Sequence, residues 1–255
     1  MKKTIVLLFL CSISLVVLGQ KKNVQNAYNA LRHAKESKGE EQIEKYIEAK
    51  EFIDISLNHE LTANDPKMWN YRAKIYLDLM LNYPQIDKDA VFKATEAHIK
   101  CLQKDKKGRP IVWKWTSEED VITGLMQCGA KLFNSGVDDY NKKDYKGAIK
   151  KYKEIFKVIP LDKSDLLKRG NIVPSSIYKN IYLAALQLKD VDMQIEYLQK
   201  SIDIGPSDEV YIYMCNIYIE KGDLEKALSY IQQGKELFDS NIHLSSKIPS
   251  KLCTH

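Results

Sequence analysis

The sequence predicts an all-α solenoid of stacked helical hairpins, about five units long, and three observations carry that reading. Glycine and proline are scarce, 11 and 7 among 255 residues, too few for a turn-dense β-sandwich or for Pro/Gly-rich disorder. Apolar residues recur at three- and four-residue spacing on both sides of short polar turns, as in two amphipathic helices folded back on each other. The pattern then repeats: Leu132, Tyr178 and Tyr211 open three similar stretches, the last two 33 residues apart. An apolar fraction of 44% is enough for a core, and the 39 basic and 34 acidic residues are scattered along the chain. That balance argues against nucleic acid as a partner.

Residues 1–19 read as a secretory signal peptide: Lys2 and Lys3, an apolar run from Ile5 to Leu18, and a small-residue cleavage site at Val17-Leu18-Gly19. The run is shorter than the roughly 20 residues a spanning helix needs and contains Ser12 and Ser14, which disfavours an uncleaved anchor. Cys11 follows Leu8-Phe9-Leu10 where a lipoprotein signal wants a small residue. Export to the periplasm or cell envelope is therefore expected. In that oxidising setting Cys101, Cys128, Cys215 and Cys253 read as small buried hydrophobes, with a Cys101–Cys128 disulfide as the alternative. Their spacing matches no metal-ligand pattern.

Residues 20–64 form a degenerate hairpin, with Ala27, Leu31 and Ala34 on one helix and Ile43, Tyr46, Ile47, Ala49, Phe52, Ile53 and Leu57 on the other. Residues 65–126 hold a looser unit. Asp65-Pro66 opens its first helix, Trp69, Ala73 and Tyr76 follow, and the second helix carries Val91, Ala94, Ala97, His98 and Cys101. Next comes the most distinctive non-repeat stretch, in which Lys104, Lys106, Lys107, Arg109 and Lys114 surround Trp113 and Trp115. The favoured reading has Thr116 or Ser117 capping the next helix and the tryptophans packing across a break between sub-stacks. The other reading has them stacking on a ligand or lying at a membrane interface.

Residues 127–241 contain the three clear units, 132–160, 178–206 and 211–239. Each has a bulky starter, then a residue at the helix crossing (Gly136, Tyr182, Cys215) and a polar turn (Lys142-Lys143-Asp144, Lys189-Asp190, Lys221-Gly222-Asp223). An apolar stripe follows: Tyr145, Ala148, Tyr152 and Ile155; Val191, Ile195 and Leu198; Leu224, Ala227, Leu228 and Ile231. Pro160 and Pro206 are expected to stop the second helices, and residues 161–172 are an insertion. The irregular tail 242–255 offers no capping helix, so the array is expected to continue against a partner or second copy, or to derive from a longer chain.

At these residues the sequence resembles the tetratricopeptide repeat (TPR) family, whose unit of about 34 residues carries this order of bulky, small and aromatic positions with a terminal proline. Tyr182 and Gln194 depart from it by occupying positions that usually hold small residues. The resemblance spans roughly residues 24–241 and implies an exported bacterial TPR protein whose hairpins wind into a right-handed superhelix. It also implies that the first helix of each unit lines a concave surface that receives an extended peptide or a partner's helix. Carried onto this chain, that surface presents Asn70 and Lys74; Phe133, Val137 and Tyr140; Lys179, Leu183 and Leu186; and Ile212, Asn216 and Ile219. Only Lys179 and Asn216 match the set with which the family's chaperone-binding members grip a C-terminal carboxylate, so a mixed apolar and cationic groove is expected.

No nucleophile elbow, P-loop, H-E-x-x-H or dinucleotide fingerprint occurs, and no histidine lies four residues from another or from a cysteine. Glu40-Glu41 and Glu118-Glu119-Asp120 sit where helices should begin, and there negative charge suits the dipole better than acid–base work. The reading is a non-enzymatic protein-interaction scaffold with no cofactor, metal or nucleic acid. The alternative is a brace for a membrane-associated assembly, working through the array's ends and convex face, and an enzyme is disfavoured.

Overall fold

The computed structural model describes residues 22–205 and 207–238. Among them are twelve α-helices and no β-strand: α1 (22–36), α2 (Gly39–Leu57), α3 (Glu60–Ala63), α4 (Pro66–Asn82), α5 (Ala90–Cys101), α6 (Glu118–Asn141), α7 (Tyr145–Ile155), α8 (Leu166–Arg169), α9 (Pro174–Leu188), α10 (Val191–Ile204), α11 (Asp208–Glu220) and α12 (Leu224–Phe238). The fold is an all-α array of packed helical hairpins. It divides into two compact units between Lys131 and Leu132, inside α6. The signal peptide, Pro206, Cys253 and the C-terminal tail lie outside the described residues.

In the first unit α2 packs on α4, and α4 on α5. Asp65 caps α4 by accepting the Lys67 N–H at 2.8 Å, with Pro66 in the first turn where it costs no hydrogen bond. α4 is enclosed nearly all round: Met68, Trp69, Asn70, Tyr71, Arg72 and Ala73 are consecutive buried residues. The buried Trp69 indole donates to the Ala63 carbonyl at 2.9 Å. α5 buries the predicted stripe, Val91, Ala94, Ala97, His98 and Cys101. Gly124 of α6 lies against the His98 ring, with no room for a Cβ. On α2, by contrast, Ile43 and Ile47 are exposed although the periodicity placed them on the buried stripe. The face that meets its neighbours runs through Tyr46, Ala49, Ile53 and Ser56.

The second unit repeats one local device three times. At the end of each first helix a residue turns left-handed (Lys143 φ 65°, Lys189 φ 58°, Gly222 φ 77°). Its N–H bonds three residues back, to Tyr140, Leu186 and Ile219 at 2.9, 3.1 and 3.0 Å. The next residue is an aspartate, and its N–H bonds five back, to Asp139, Ala185 and Tyr218 at 2.8, 3.0 and 2.9 Å. This is the Schellman helix end. The same aspartates, Asp144, Asp190 and Asp223, then start the second helices by accepting from Gly147, Met193 and Lys226 at 3.0, 3.0 and 3.1 Å. One carboxylate thus follows the stop of one helix and caps the next, which is why these turns are so short. A lysine in the left-handed region carries a penalty of roughly 1 kcal/mol that glycine avoids. Lys143→Gly and Lys189→Gly are each expected to gain about 0.5–1 kcal/mol, read as a higher urea midpoint at unchanged slope.

Packing then follows chain order. α6 crosses α7 where Gly136 faces Tyr152, α7 packs on α9, α9 on α10, α10 on α11 and α11 on α12. The last hairpin closes on Cys215, Ala227 and Ile231. α7 ends at Ile155, a turn before Pro160, because the chain has already tightened into three-residue bonds (Val158 N–H to Ile155 O, 2.8 Å). The expected insertion holds α8, fastened by the Asp162 carboxylate, which accepts the Leu166 and Leu167 N–H groups at 2.9 and 2.8 Å. Leu224 and Leu228 of the predicted α12 stripe, and Val191 of the α10 stripe, are exposed.

Candidate functional site

The residues expected to line a groove fall into separate clefts. In the second unit, Val137 and Tyr140 of α6 share a cleft of about 100 Å³ with Tyr152 of α7 and with Asn180 and Leu183 of α9. Tyr152 forms its floor: it is buried, and burial pushes its hydroxyl pKa up to about 12, with Tyr140 and Asp139 adding to the shift. Phe133 is half-buried and packs on the same ring at 6.1 Å. Tyr140 is held edge-on against Tyr145 at 5.3 Å. Beside the cleft Lys151 pairs with Asp139.

One turn along α9, Leu186 belongs to an open cleft of about 520 Å³ with Lys189, Val191, Gln194, Ile217 and Glu220. Leu186 and Val191 are 43% and 37% exposed, so this cleft has an apolar lip with charges at its edge. One turn the other way, Lys179 reaches Glu209 of α11 at 3.0 Å across a mixed cleft of about 320 Å³ that also holds Ser175, Ser201, Tyr182 and Tyr213. Tyr182 is buried and stacked on Tyr213 at 5.0 Å, and burial raises its pKa to about 12. Lys179, Leu183 and Leu186 therefore share one face of α9, as their spacing requires.

α11 behaves differently. Asn216 is exposed, but Ile212 is buried and Ile219 packs against the Cys215–Ala227–Ile231 core. The groove expected there offers only the asparagine. In the first unit Lys74 is exposed, whereas Asn70 is buried with its Nδ2 making no protein hydrogen bond. Both line a cleft of about 180 Å³ with His98, Cys101, Thr116 and Asp120. His98 Nδ1 lies 2.8 Å from the Ala94 carbonyl, and burial holds its pKa below the usual histidine value. Burial pushes the Cys101 and Cys128 thiols up to about 12, far from the nucleophilic range, and both are free thiols with no disulfide between them. Among the described residues no group of three or more His, Cys, Asp or Glu side chains is placed to hold a metal ion.

Asn180, Glu209 and Ile217 join these clefts without having been singled out by sequence, and Tyr152, read there as part of the α7 apolar stripe, forms a cleft floor. The Lys179–Glu209 pair carried a signal: opposite charges 30 residues apart, close to one repeat.

The tryptophan loop departs most from the favoured expectation. Trp113 and Trp115 are 44% and 38% exposed instead of packed, and Val112 and Pro110 are the buried anchors. Ser117, the second of the two predicted caps, accepts the Asp120 N–H at 3.0 Å.

No family model matches this chain, and no curated protein matches it. Among solved structures, one described as the functional characterization of Pseudomonas aeruginosa pilF aligns over 89% of this chain and 95% of that one, at 15% identity and a TM-score of 0.24. A likeness that low carries no argument about fold or function.

Proposed function

We propose that the protein is an exported, non-enzymatic scaffold of the cell envelope that receives a partner's segment along the first-helix face of the second unit. One observation supports this most. Val137, Tyr140 and Leu183 meet in a single cleft, and Leu186 on the same face of α9 opens into the next. An extended segment lying along α9 would bury apolar side chains in the two clefts and take its register from Lys179 and Asn180. The cysteines are buried with raised pKa, and His98 is buried with Nδ1 engaged by the Ala94 carbonyl, so neither is presented to a substrate as nucleophile or base.

Leu186→Glu and Lys179→Gln test the reading, since both positions are exposed and the second gives up only the exposed Glu209 pair, about 1 kcal/mol at most. Cross-linking capture from the native envelope fraction should show the partner retained by the parent chain. It should be lost, with affinity down at least about tenfold, from both variants at unchanged helical signal. Undiminished capture by both would sink the groove model. A second reading, an end-on brace for an assembly, is favoured by the exposed Leu224, Leu228 and Leu237 of α12. It predicts that Leu228→Glu, and not the α9 changes, abolishes capture.

A further inference from the structure

The loop between α5 and α6 points to a function separate from the groove. The geometry assigns residues 104–115 as a docking element for an anionic lipid surface. The loop is built, not slack. The Asp105 carboxylate accepts the Lys107 and Arg109 N–H groups at 2.8 and 3.0 Å, and the Arg109 side chain returns to it through Nε and Nη2 at 3.1 and 2.8 Å. Gly108, with φ +74°, turns the chain, and the Asp105 N–H donates to the Arg109 carbonyl at 2.8 Å. Ile111 N–H to Gln103 O, at 2.8 Å, closes the base. Val112, fully buried, and Pro110 pin this frame to the body. The Trp113 and Trp115 N–H groups bond back to Pro110 and Val112 at 3.0 and 2.8 Å, fixing the backbone from which both indoles project into solvent.

Packing does not explain those indoles. Trp69, the packing tryptophan of the same unit, is 6% exposed and has its N–H satisfied, whereas Trp113 and Trp115 remain 44% and 38% exposed on an ordered frame. Cations surround them: the Arg109 guanidinium lies 3.9 Å from the Trp113 ring centre and the Lys114 ammonium 5.6 Å from it. Lys106 and Lys107 project from the turn, and Lys104 reaches Glu118 at 2.8 Å. Amphipathic rings at headgroup depth with ammonium and guanidinium groups among the phosphates is the arrangement that membrane interfaces select.

Charge decides between a membrane and a nucleic acid. Residues 104–115 hold five cationic side chains against the carboxylate of Asp105, with Glu118 pairing Lys104 from the start of α6, while the whole chain has a net charge of +5, so the remainder is within one charge of neutral. Nucleic acid requires a track of cations along successive phosphates. Here the charge is concentrated in one short exposed loop, which suits contact with a surface, and Arg109 already covers a face of Trp113 that a base would need. No helix among the described residues is long and apolar enough to cross a membrane.

The test uses the full chain with vesicles of phosphatidylcholine alone or with about one quarter phosphatidylglycerol, followed by co-sedimentation and tryptophan emission. Binding is expected to the anionic vesicles only, with a blue-shifted emission arising from the loop because Trp69 is already buried, and to fall away at about 0.5 M salt. Lys106→Gln with Lys107→Gln should weaken it roughly thirtyfold, about fivefold per cation. Trp113→Ser with Trp115→Ser should abolish the emission shift while far-UV circular dichroism stays unchanged. Three outcomes would overturn the assignment. They are equal binding to both vesicle types, anionic binding that survives both double substitutions (attachment through residues 5–18), and displacement from vesicles by a single-stranded oligonucleotide at equal charge.

Discussion

Asp54→Ala is expected to destabilise the first unit by about 3–5 kcal/mol, the cost of stranding a buried cation. The cation is Arg72 of α4, whose side chain is 3% exposed and whose guanidinium lies 2.5 Å from Asp54 Oδ1. The Tyr76 hydroxyl donates to both oxygens of the same carboxylate at 2.7 and 2.8 Å, and Lys50 approaches at 3.3 Å. Arg72 also lies over the Tyr76 ring at 4.5 Å, and its Nε makes no protein hydrogen bond, so Asp54 is its main compensation. Unfolding in urea, followed by Trp69 emission, should show the midpoint fall. Asp54→Leu combined with Arg72→Met should recover most of the loss, because an apolar pair of similar volume avoids the desolvation cost altogether. A single-variant loss under about 1 kcal/mol would mean that water or Tyr76 already satisfies the arginine.

The same carboxyl sets part of the acid response. Burial acts to raise its pKa, but the hydrogen bonds from Arg72 and Tyr76 and the charges of Arg72 and Lys50 outweigh it and hold the value below the ordinary one. A depressed folded-state pKa contributes stability that is fully present above the unfolded value of about 3.9 and lost as pH falls through the folded value. Stability should therefore drop below about pH 4 in the parent chain and less so in Asp54→Ala. The shallower loss starting near pH 6.5, where an unfolded histidine charges and buried His98 resists, should persist in both.

Tyr152→Ala should have a comparable effect on the second unit, about 3–5 kcal/mol, since it removes a buried ring from the crossing of α6 and α7. Tyr152 is 2% exposed, and a Cβ on Gly136 would lie 2.7 Å from its Cε1, so ring and glycine fit only as a pair. Gly136→Ala should cost about 1–3 kcal/mol from the other side by overfilling the crossing. Tyr152→Phe keeps the shape and should stay within about 1 kcal/mol. The ring is also the floor of the Val137–Tyr140–Leu183 cleft, so Tyr152→Ala should lose partner capture even where enough folded protein remains to assay. A stable Tyr152→Ala chain that still captures its partner would contradict both roles.

Sequence periodicity shows which residues share a helix face but not which face meets a neighbour. The α5 stripe was legible because that helix has one apolar side. α4 is enclosed on nearly every side and α11 is apolar on most of its own, and this is why Asn70 and Ile212, placed in a groove by analogy of position, are buried. The α2 stripe was drawn too wide because its apolar residues span more of the helix than its neighbours cover, leaving Ile43 and Ile47 exposed. The tryptophan loop reads identically whether its indoles are covered or exposed. Only the frame built on Asp105 and Val112 separates the cases.

By itself the sequence determined the helices, the hairpins and their repeat, because those depend on local spacing, on polar turns, and on aspartates that cap the helix three residues ahead. Only the tertiary structure decided that Asp54 neutralises Arg72, that the groove residues split among separate clefts, and that Trp113 and Trp115 stand in solvent. Each of these depends on which surfaces of neighbouring helices and loops come together, and burial and charge pairing between residues distant in sequence leave no periodic trace along the chain.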